Sequence, residues 1–297
     1  MLAIVIPYYK INFFEATLQS LASQTNKQFH VYIGNDASNT DPSNLLEAYK
    51  NSFLFTYKKF DNNLGGQNLV KQWERCMAMT ANEDWIMILG DDDVLGAHVV
   101  DSFYKNLRFI EKEKSTVVRF ATKIINQNGD EISPTFFHPK TEFATDFLLR
   151  KLKGGTRSSL SEYVFKKDKI NIIKFKCFPL AWSSDTLAVV EFSENNPIFT
   201  INNTLVYFRL SGINITSQDD SIEKNKAWFQ FYYYLMSKYG KQYSNELLEM
   251  LFDKIEKVQL NNKKTPVRWF KLFRLYIMFS KYSRILLLSK KVKKSII

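Results

Sequence analysis

The chain has 297 residues, 45% of them hydrophobic and 15% aromatic, a composition that excludes a disordered protein and allows one large domain, or a domain of about 200 residues with an appendage. Its net charge of +11 sits at one end: Lys263 to Ile297 hold eight Lys and three Arg with no Asp or Glu, and the other 30 basic residues balance the 30 acids. That is an interaction tail on a neutral body, and no run of 18 apolar residues offers a transmembrane helix.

Met1 leads straight into the strand-like run LAIVIPYY with no charged start or cleavage site, so no signal peptide is expected. Leu2–Pro7 is continuously apolar and ends in proline, as in a strand covered on both faces. Phe14, Leu18 and Leu21 then repeat at helical spacing. Phe29–Gly34 predicts a second strand, Leu45–Tyr49 a helix, Phe53–Tyr57 a third strand and Gln67–Thr80 a helix. Trp85–Leu89 predicts a fourth strand, followed by a helix over Val99–Lys114. This alternation with short connections argues for an α/β fold with a parallel sheet.

Beyond it, Thr116–Ile125 predicts one or two strands turning at Asn128-Gly129, and Tyr163–Phe165 follows a loop at Gly154-Gly155 that carries Thr156, Arg157 and Ser158. A short helix follows near Asp168–Phe175. From about Asp220 the pattern is helical and aromatic, and from Thr265 helical and basic. Cys76 and Cys177 show no pair spacing and read as reduced, cytosolic thiols; His30, His98 and His138 are too scattered for a zinc site.

In a parallel α/β sheet, ligands bind beyond the carboxyl ends of the strands. Three polar clusters fall there: Tyr8-Tyr9-Lys10, Asn35-Asp36-Ala37-Ser38 and Asp91-Asp92-Asp93. Three adjacent carboxylates at the end of a buried strand repel one another unless something positive joins them. A hard divalent cation, Mn²⁺ or Mg²⁺, suits such oxygen ligands and can bridge a diphosphate. Capping of the next helix is the competing role.

The series IVIPYY, NDAS, NNLGG and ILGDDD resembles family 2 glycosyltransferases of the GT-A fold. The later segments GGTRSSLSEYVF, FPLAWSSD and VYFRLSGINIT resemble the subset found in bacterial surface-polysaccharide (O-antigen or capsule) synthesis. The resemblance covers about residues 1–216. It implies a GT-A domain over 1–216; the remaining residues 217–297 read, from their own pattern, as a helical region with a basic, membrane-associating tail.

The resemblance also implies roles. Pro7-Tyr8 would wall the nucleoside pocket, and Asp36 would accept a hydrogen bond from the base, usually uracil. Asn63 and Gly65 would form the turn where backbone approaches the nucleotide, with Lys71 near a position often held by arginine. The family's Asp-Ser-Asp-Asp lines up with Gly90-Asp91-Asp92-Asp93. Asp91 would therefore lie beside the ribose, Asp92 would bind metal, and Asp93 would be a second ligand or its support. Asp185, with Ser184 in place of the usual glutamate, matches the general base, and a loop carrying Arg209 would close over the diphosphate. Each has a plainer alternative: core packing for Tyr8 and for the possible sugar platform Trp182, an Asx turn for Asp36, a simple turn for Asn63–Gly66, a helix cap for Asp185, a surface ion pair for Arg209.

In Thr265–Ser289 the bases Arg268, Lys271, Arg274, Lys281 and Arg284 spread over half a helical wheel opposite an apolar arc, with Lys290-Lys291 and Lys293-Lys294 beyond. That composition suits a helix lying in an anionic membrane interface more than nucleic acid. The expected protein is an inverting, metal-dependent enzyme that moves a hexosyl unit from a nucleotide sugar, most simply a UDP-sugar, to a lipid-linked saccharide acceptor. It would work at the cytoplasmic face of the cell membrane, with no nucleic-acid partner. A nucleotidyltransferase shares the acidic loops, but the Gly-rich basic triphosphate loop it ordinarily carries does not follow IVIPYY. A non-catalytic membrane- or nucleic-acid-binding protein is the other alternative.

Overall fold

The first four strands follow in the order predicted, the first continuing past Pro7 to Tyr8 and the third covering Leu54–Lys59. The computed structural model describes residues 1–212 and 221–294, apart from the side chains of 221 and 289–294. Strands β1 (Leu2–Tyr8), β2 (Phe29–Asn35), β3 (Leu54–Lys59) and β4 (Trp85–Ile88) alternate with helices α1 (Phe14–Ala22), α2 (Ser43–Tyr49) and α3 (Leu69–Met77). They lie in the order β3-β2-β1-β4, all parallel. Helix α3 starts two residues later than predicted because the Asn68 side chain accepts the Lys71 N–H and caps it there.

Neighbours β2 and β4 place the end of β1 at a switch in strand order, where a crevice opens. Alternation along β1 divides its residues between two buried faces. Leu2, Ile4, Ile6 and Tyr8 pack with Phe14, Leu18, Val100 and Phe103 from α1 and α4 (Val99–Lys112), whereas Ala3 and Val5 pack with Val70, Trp73 and Cys76 from α3.

The sheet continues through β8 (Tyr163–Lys166), antiparallel to β4, then β6 (Val117–Ile125), β9 (Ile198–Arg209) and β5 (Val94–Leu95), with β7 (Thr141–Glu142) on β9. Among the described residues this makes nine strands. The turn at Asn128-Gly129 is present, Gly129 holding φ +92° while its N–H donates to the Asn126 carbonyl at 3.1 Å. The chain then returns along β6 only as isolated bridges at Thr122–Phe136 and Ile125–Glu131. Helices α5 (Ala144–Leu152), α6 (Lys167–Ile173) and α7 (Ser184–Ser193) cover the same face as α3.

Helices α8 (Ser221–Tyr239), α9 (Asn245–Asn261), α10 (Pro266–Met278) and α11 (Tyr282–Lys294) follow. The segment Ile213–Thr216 and the expected 216/217 boundary lie outside the described residues. These helices share a core with α5, α7 and the turn before it: Leu148, Phe178 and Leu187 pack with Leu235, Leu251, Leu272 and Tyr276.

The tail is arranged differently from the single amphipathic helix expected. It breaks at Ser280 (φ +54°), and three of the five bases turn inward. Arg268 donates to Asn225 at 2.7 Å, Lys281 pairs with Glu249 at 2.6 Å, and Arg284 pairs with Glu256 at 2.8 Å, Asp253 at 3.0 Å, and Glu249. Acids on α9 draw in Lys281 and Arg284, and Asn225 of α8 holds Arg268. The face of α10 left outside carries Val267, Phe270, Phe273, Arg274 and Ile277, with Phe270 73% exposed. Among the described residues no helix is long and apolar enough to cross a membrane.

A buried charged cluster ties β6 to α5. Glu142 accepts from Arg119 at 2.8 Å and from Arg150 at 2.7 Å, and Arg150 also donates to His138 Nδ1 at 2.9 Å. Arginine can only donate, so this nitrogen is an acceptor and the ring is neutral. Burial and the neighbouring charges of Arg119, Arg150 and Arg157 push its pKa down to about 2. From the ordinary 6.5 down to that value, the unfolded chain binds a proton that the folded chain refuses. Stability therefore falls on acidification below pH 6.5, by up to about 1.4 kcal/mol per pH unit from this group. Urea unfolding at pH 5 and pH 7 should show His138→Gln losing about 2 kcal/mol less than the parent over that interval; equal losses would refute the assignment.

Candidate functional site

The loops after β1, β2 and β4 border a cleft of about 800 Å³. Its other walls come from Ser158–Ser161, from Leu180–Thr186 at the start of α7, and from Trp228 on α8. Pro7, Asp36, Asn63, Gly65, Asp91, Asp92, Asp93 and Asp185 all border it, so eight residues singled out in the sequence meet in one cavity. Tyr8, Lys71 and Arg209 are not on its wall.

Tyr8 is fully buried, packs on Phe14 with ring centroids 4.7 Å apart, and donates its hydroxyl to the Thr40 carbonyl at 3.0 Å. Strand alternation turns its neighbours Pro7 and Tyr9 to the cleft instead. Asp36, buried at the end of β2, accepts the N–H of Leu64 at 2.7 Å and of Gly65 at 2.8 Å, and pairs with Arg75. It thereby holds the Asn63–Gly66 turn against the sheet. A Cβ on Gly65 would lie 2.5 Å from Asp36 Oδ2, so only glycine permits this approach.

Arg75, and not Lys71, is the base beside Asp36. Its guanidinium stacks 4.0 Å from the Phe60 ring centroid and donates to the Asn62 carbonyl at 2.8 Å. Lys71 sits one helical turn earlier, half exposed and paired with Glu74 at 2.6 Å. The four-residue spacing placed both on one face of α3, and position along that face decides which of them reaches Asp36.

The three aspartates divide their work. Asp91 Oδ2 accepts the backbone N–H of Tyr9 at 2.7 Å and Lys10 at 2.8 Å, joining the loop after β4 to the loop after β1. Asp93 accepts the Arg209 N–H at 2.9 Å and the Ser161 hydroxyl, which fastens the loop to β9 and to the turn before β8. Arg209, 3% exposed, sends its guanidinium to the Asp92 carbonyl at 2.9 Å and the Asn126 carbonyl at 2.9 Å, supporting the acidic loop from behind. It ends strand β9 and is not carried on a separate closing loop as the sequence suggested.

Asp92 is different. Among the described residues its carboxylate takes no hydrogen bond from another side chain or loop, yet burial and the charges of Asp93 and Asp91 push its pKa up to about 8. Burial and its acidic neighbours outweigh the attraction of Arg209, and a carboxylate so placed fits a divalent cation. Among the described residues no three His, Cys, Asp or Glu side chains converge to hold a metal unaided. A diphosphate and water would have to complete the coordination, as magnesium sites commonly require.

Asp185 approaches the cleft from α7. It is the second residue of that helix; Ser183 occupies the cap position, with no side-chain capping bond. The carboxylate is not consumed in capping, and its near neighbour is the Thr186 hydroxyl at 3.5 Å. Lys151, half-buried on α5, donates to that same hydroxyl at 2.7 Å, and its charge lies close enough to Asp185 for the two to attract. Lys151 and Arg157 border the cleft and were not singled out in the sequence, where basic residues of a helix end and a loop carry no distinguishing pattern.

Residues 3–169, more than half of the chain, match the sequence model described as Glycosyl transferase family 2. Among solved structures the chain is similar to S. aureus TarS 1-349 (TM-score 0.64, 15% identity, covering 93% of this chain and 80% of that one). It is likewise similar to TarS 1-349 in complex with UDP-GlcNAc (TM-score 0.64, 15% identity, 92% and 79% covered) and with UDP (TM-score 0.58, 17% identity, 95% and 91% covered). At such identities the likeness is one of fold, and it agrees with the GT-A architecture. No curated protein matches the chain significantly.

Proposed function

The chain belongs to glycosyl transferase family 2 and is a nucleotide-sugar glycosyltransferase; we propose that it moves a hexosyl unit from a UDP-sugar to a lipid-linked saccharide acceptor with inversion at the anomeric carbon. The observation that carries this reading is the shared cleft: Asp36, Asp92 and Asp185 border one cavity from three different elements. The similarity to structures that hold UDP and UDP-GlcNAc supports the choice of donor.

Each residue then has a physical task. Pro7 and Tyr9 flank the nucleoside, and Asp36 accepts the uracil N3–H with capacity left beyond the three donors it already holds. Asp91 lies toward the ribose. Asp92 holds Mn²⁺ or Mg²⁺, with Asp93 fixing the loop; when bound, the cation neutralises charge on the diphosphate. Asp185 takes the proton from an acceptor hydroxyl as its oxygen bonds to the anomeric carbon. The bond from that carbon to the diphosphate oxygen breaks, and its electron pair leaves with UDP.

Thermal unfolding with UDP, GDP, dTDP and CMP, each with and without Mn²⁺, tests the donor assignment. At 100 times its dissociation constant a ligand adds about 2.7 kcal/mol, which raises Tm by about 5 °C or more in a chain of this size. UDP with Mn²⁺ should give the largest shift. A larger shift from GDP would overturn the role of Asp36, and no shift from any nucleotide would remove the donor assignment.

The exposed face of α10 supports attachment to an anionic membrane surface, on the cytoplasmic side where lipid-linked saccharides would be reached. Val267, Phe270 and Ile277 can enter the interface while Lys271 and Arg274 meet headgroups. Sedimentation should show binding to vesicles of phosphatidylcholine with phosphatidylglycerol, weakened about tenfold by Phe270→Ser with Ile277→Ser. Equal binding to pure phosphatidylcholine, or none to either, would refute it.

A further inference from the structure

The cleft has one wall that lies outside the family-matched residues. Trp228 of α8 borders it together with Trp182, on the side occupied by Asp185 and Thr186. The two indole rings meet nearly edge to face, with centroids 5.9 Å apart and planes at 78°. A tryptophan ordinarily hides its large apolar surface, yet Trp228 is 37% exposed beside this cavity.

The backbone that presents Trp182 is strained. Leu180 (φ +56°), Ala181 (φ +53°) and Ser183 (φ +68°) all occupy the left-handed region, where side chains other than glycine are disfavoured by roughly 1 kcal/mol or more each. Such a turn persists only where packing holds it, and here Phe178 packs edge-on to Phe231 of α8 with centroids 6.1 Å apart. Helix α8 thus both supplies one indole and braces the turn that carries the other. Trp182 also packs against the core of the later helices, with the Lys224 ammonium 4.8 Å from its ring centroid, and still borders the cavity.

We propose that Trp182 and Trp228 form the platform for the acceptor sugar, so that a helix outside the family-matched segment sets acceptor choice. The proposal rests on the glycosyltransferase reading above. Two perpendicular aromatic faces make a corner that fits a pyranose: its apolar C–H face lies on one ring and its edge against the other, with hydroxyls left pointing toward the polar side. That polar side carries Asp185, so the platform turns a hydroxyl to the base. The recognised class is a neutral pyranose with an apolar C–H face, at the end of the acceptor that enters the cleft.

Saturation-transfer NMR with methyl β-glycosides of glucose, galactose, N-acetylglucosamine and N-acetylgalactosamine, at saturating UDP and Mn²⁺, tests this on the full chain. At least one glycoside should bind the parent, Trp228→Ala should weaken it about tenfold, and Trp228→Phe should recover most of the loss. The UDP-induced rise in Tm should be the same in all three proteins. A glycoside that binds Trp228→Ala as well as the parent, or a parent that responds to UDP but to no glycoside, overturns the platform. A UDP response lost together with glycoside binding in Trp228→Ala assigns the residue to folding and also overturns it. A parent with no nucleotide response fails at the donor, and the underlying reading falls first.

Discussion

Asp92→Asn should lower the rate of glycosyl transfer by two to three orders of magnitude while leaving Tm unchanged or slightly raised. The two halves of this result have separate causes. Loss of rate follows from removing the carboxylate best placed to hold a cation against the diphosphate, a change on the scale of deleting one group that stabilises developing charge. Retained stability follows from the crowding of three carboxylates in a half-buried loop, where Asp91 and Asp93 oppose ionisation of Asp92. Asparagine keeps the shape and removes the repulsion. Asp93→Asn should behave oppositely in stability, because Asp93 accepts from Arg209 and Ser161 and anchors the loop. Initial rates with a UDP-sugar and melting curves of the variants check this; an Asp92→Asn protein within twofold of parental activity would refute the assignment.

For Asp185→Asn the expected loss in turnover is 10²- to 10⁴-fold, the range ordinarily supplied by a positioned general base. Asparagine preserves size and polarity but cannot take a proton. The carboxylate caps nothing in α7, so stability should change by no more than about 0.5 kcal/mol. The Tm rise with UDP and Mn²⁺ should remain intact if, as proposed, Asp185 acts on the acceptor. Lost turnover with lost nucleotide binding would instead place Asp185 in the donor site. Together the two variants separate holding the leaving group from activating the acceptor.

Strands β1, β2 and β4 could be read from sequence because each is a largely apolar, buried run followed by polar residues. Their loops could be read too, since polar clusters at consecutive strand ends must share an edge of a parallel sheet. Periodicity within those loops was less legible. Strand β1 is apolar on both faces, so its sequence carries no alternation to show that Tyr8 turns to the core and Pro7 and Tyr9 to the cleft; a shift of one residue reverses the face. The basic partner of Asp36, Arg75, was not singled out, because Lys71 and Arg75 share a face of α3 and differ only in height.

Strand β9 escaped notice for another reason. Its apolar run is interrupted by Asn202-Asn203-Thr204, where the register against β6 shifts between Phe120 and Ala121. The tail shows the limit of a helical wheel: it ranks faces by composition but does not know that Glu249, Asp253 and Glu256 wait on a neighbouring helix. Partners distant in sequence decided the inward turn of Arg268 and Arg284.

The core shared by α5, α7 and the four later helices bears on how the enzyme comes into being. Synthesis runs from the N-terminus, and the parallel strands with their loops leave the ribosome well before α8 to α11. Until those helices arrive, Leu148, Phe178 and Leu187 lack the apolar partners that bury them, and the cleft lacks Trp228. Until they dock, the nascent sheet carries an uncovered apolar flank. Premature termination just before α8 would leave that unfinished intermediate, with the flank still uncovered.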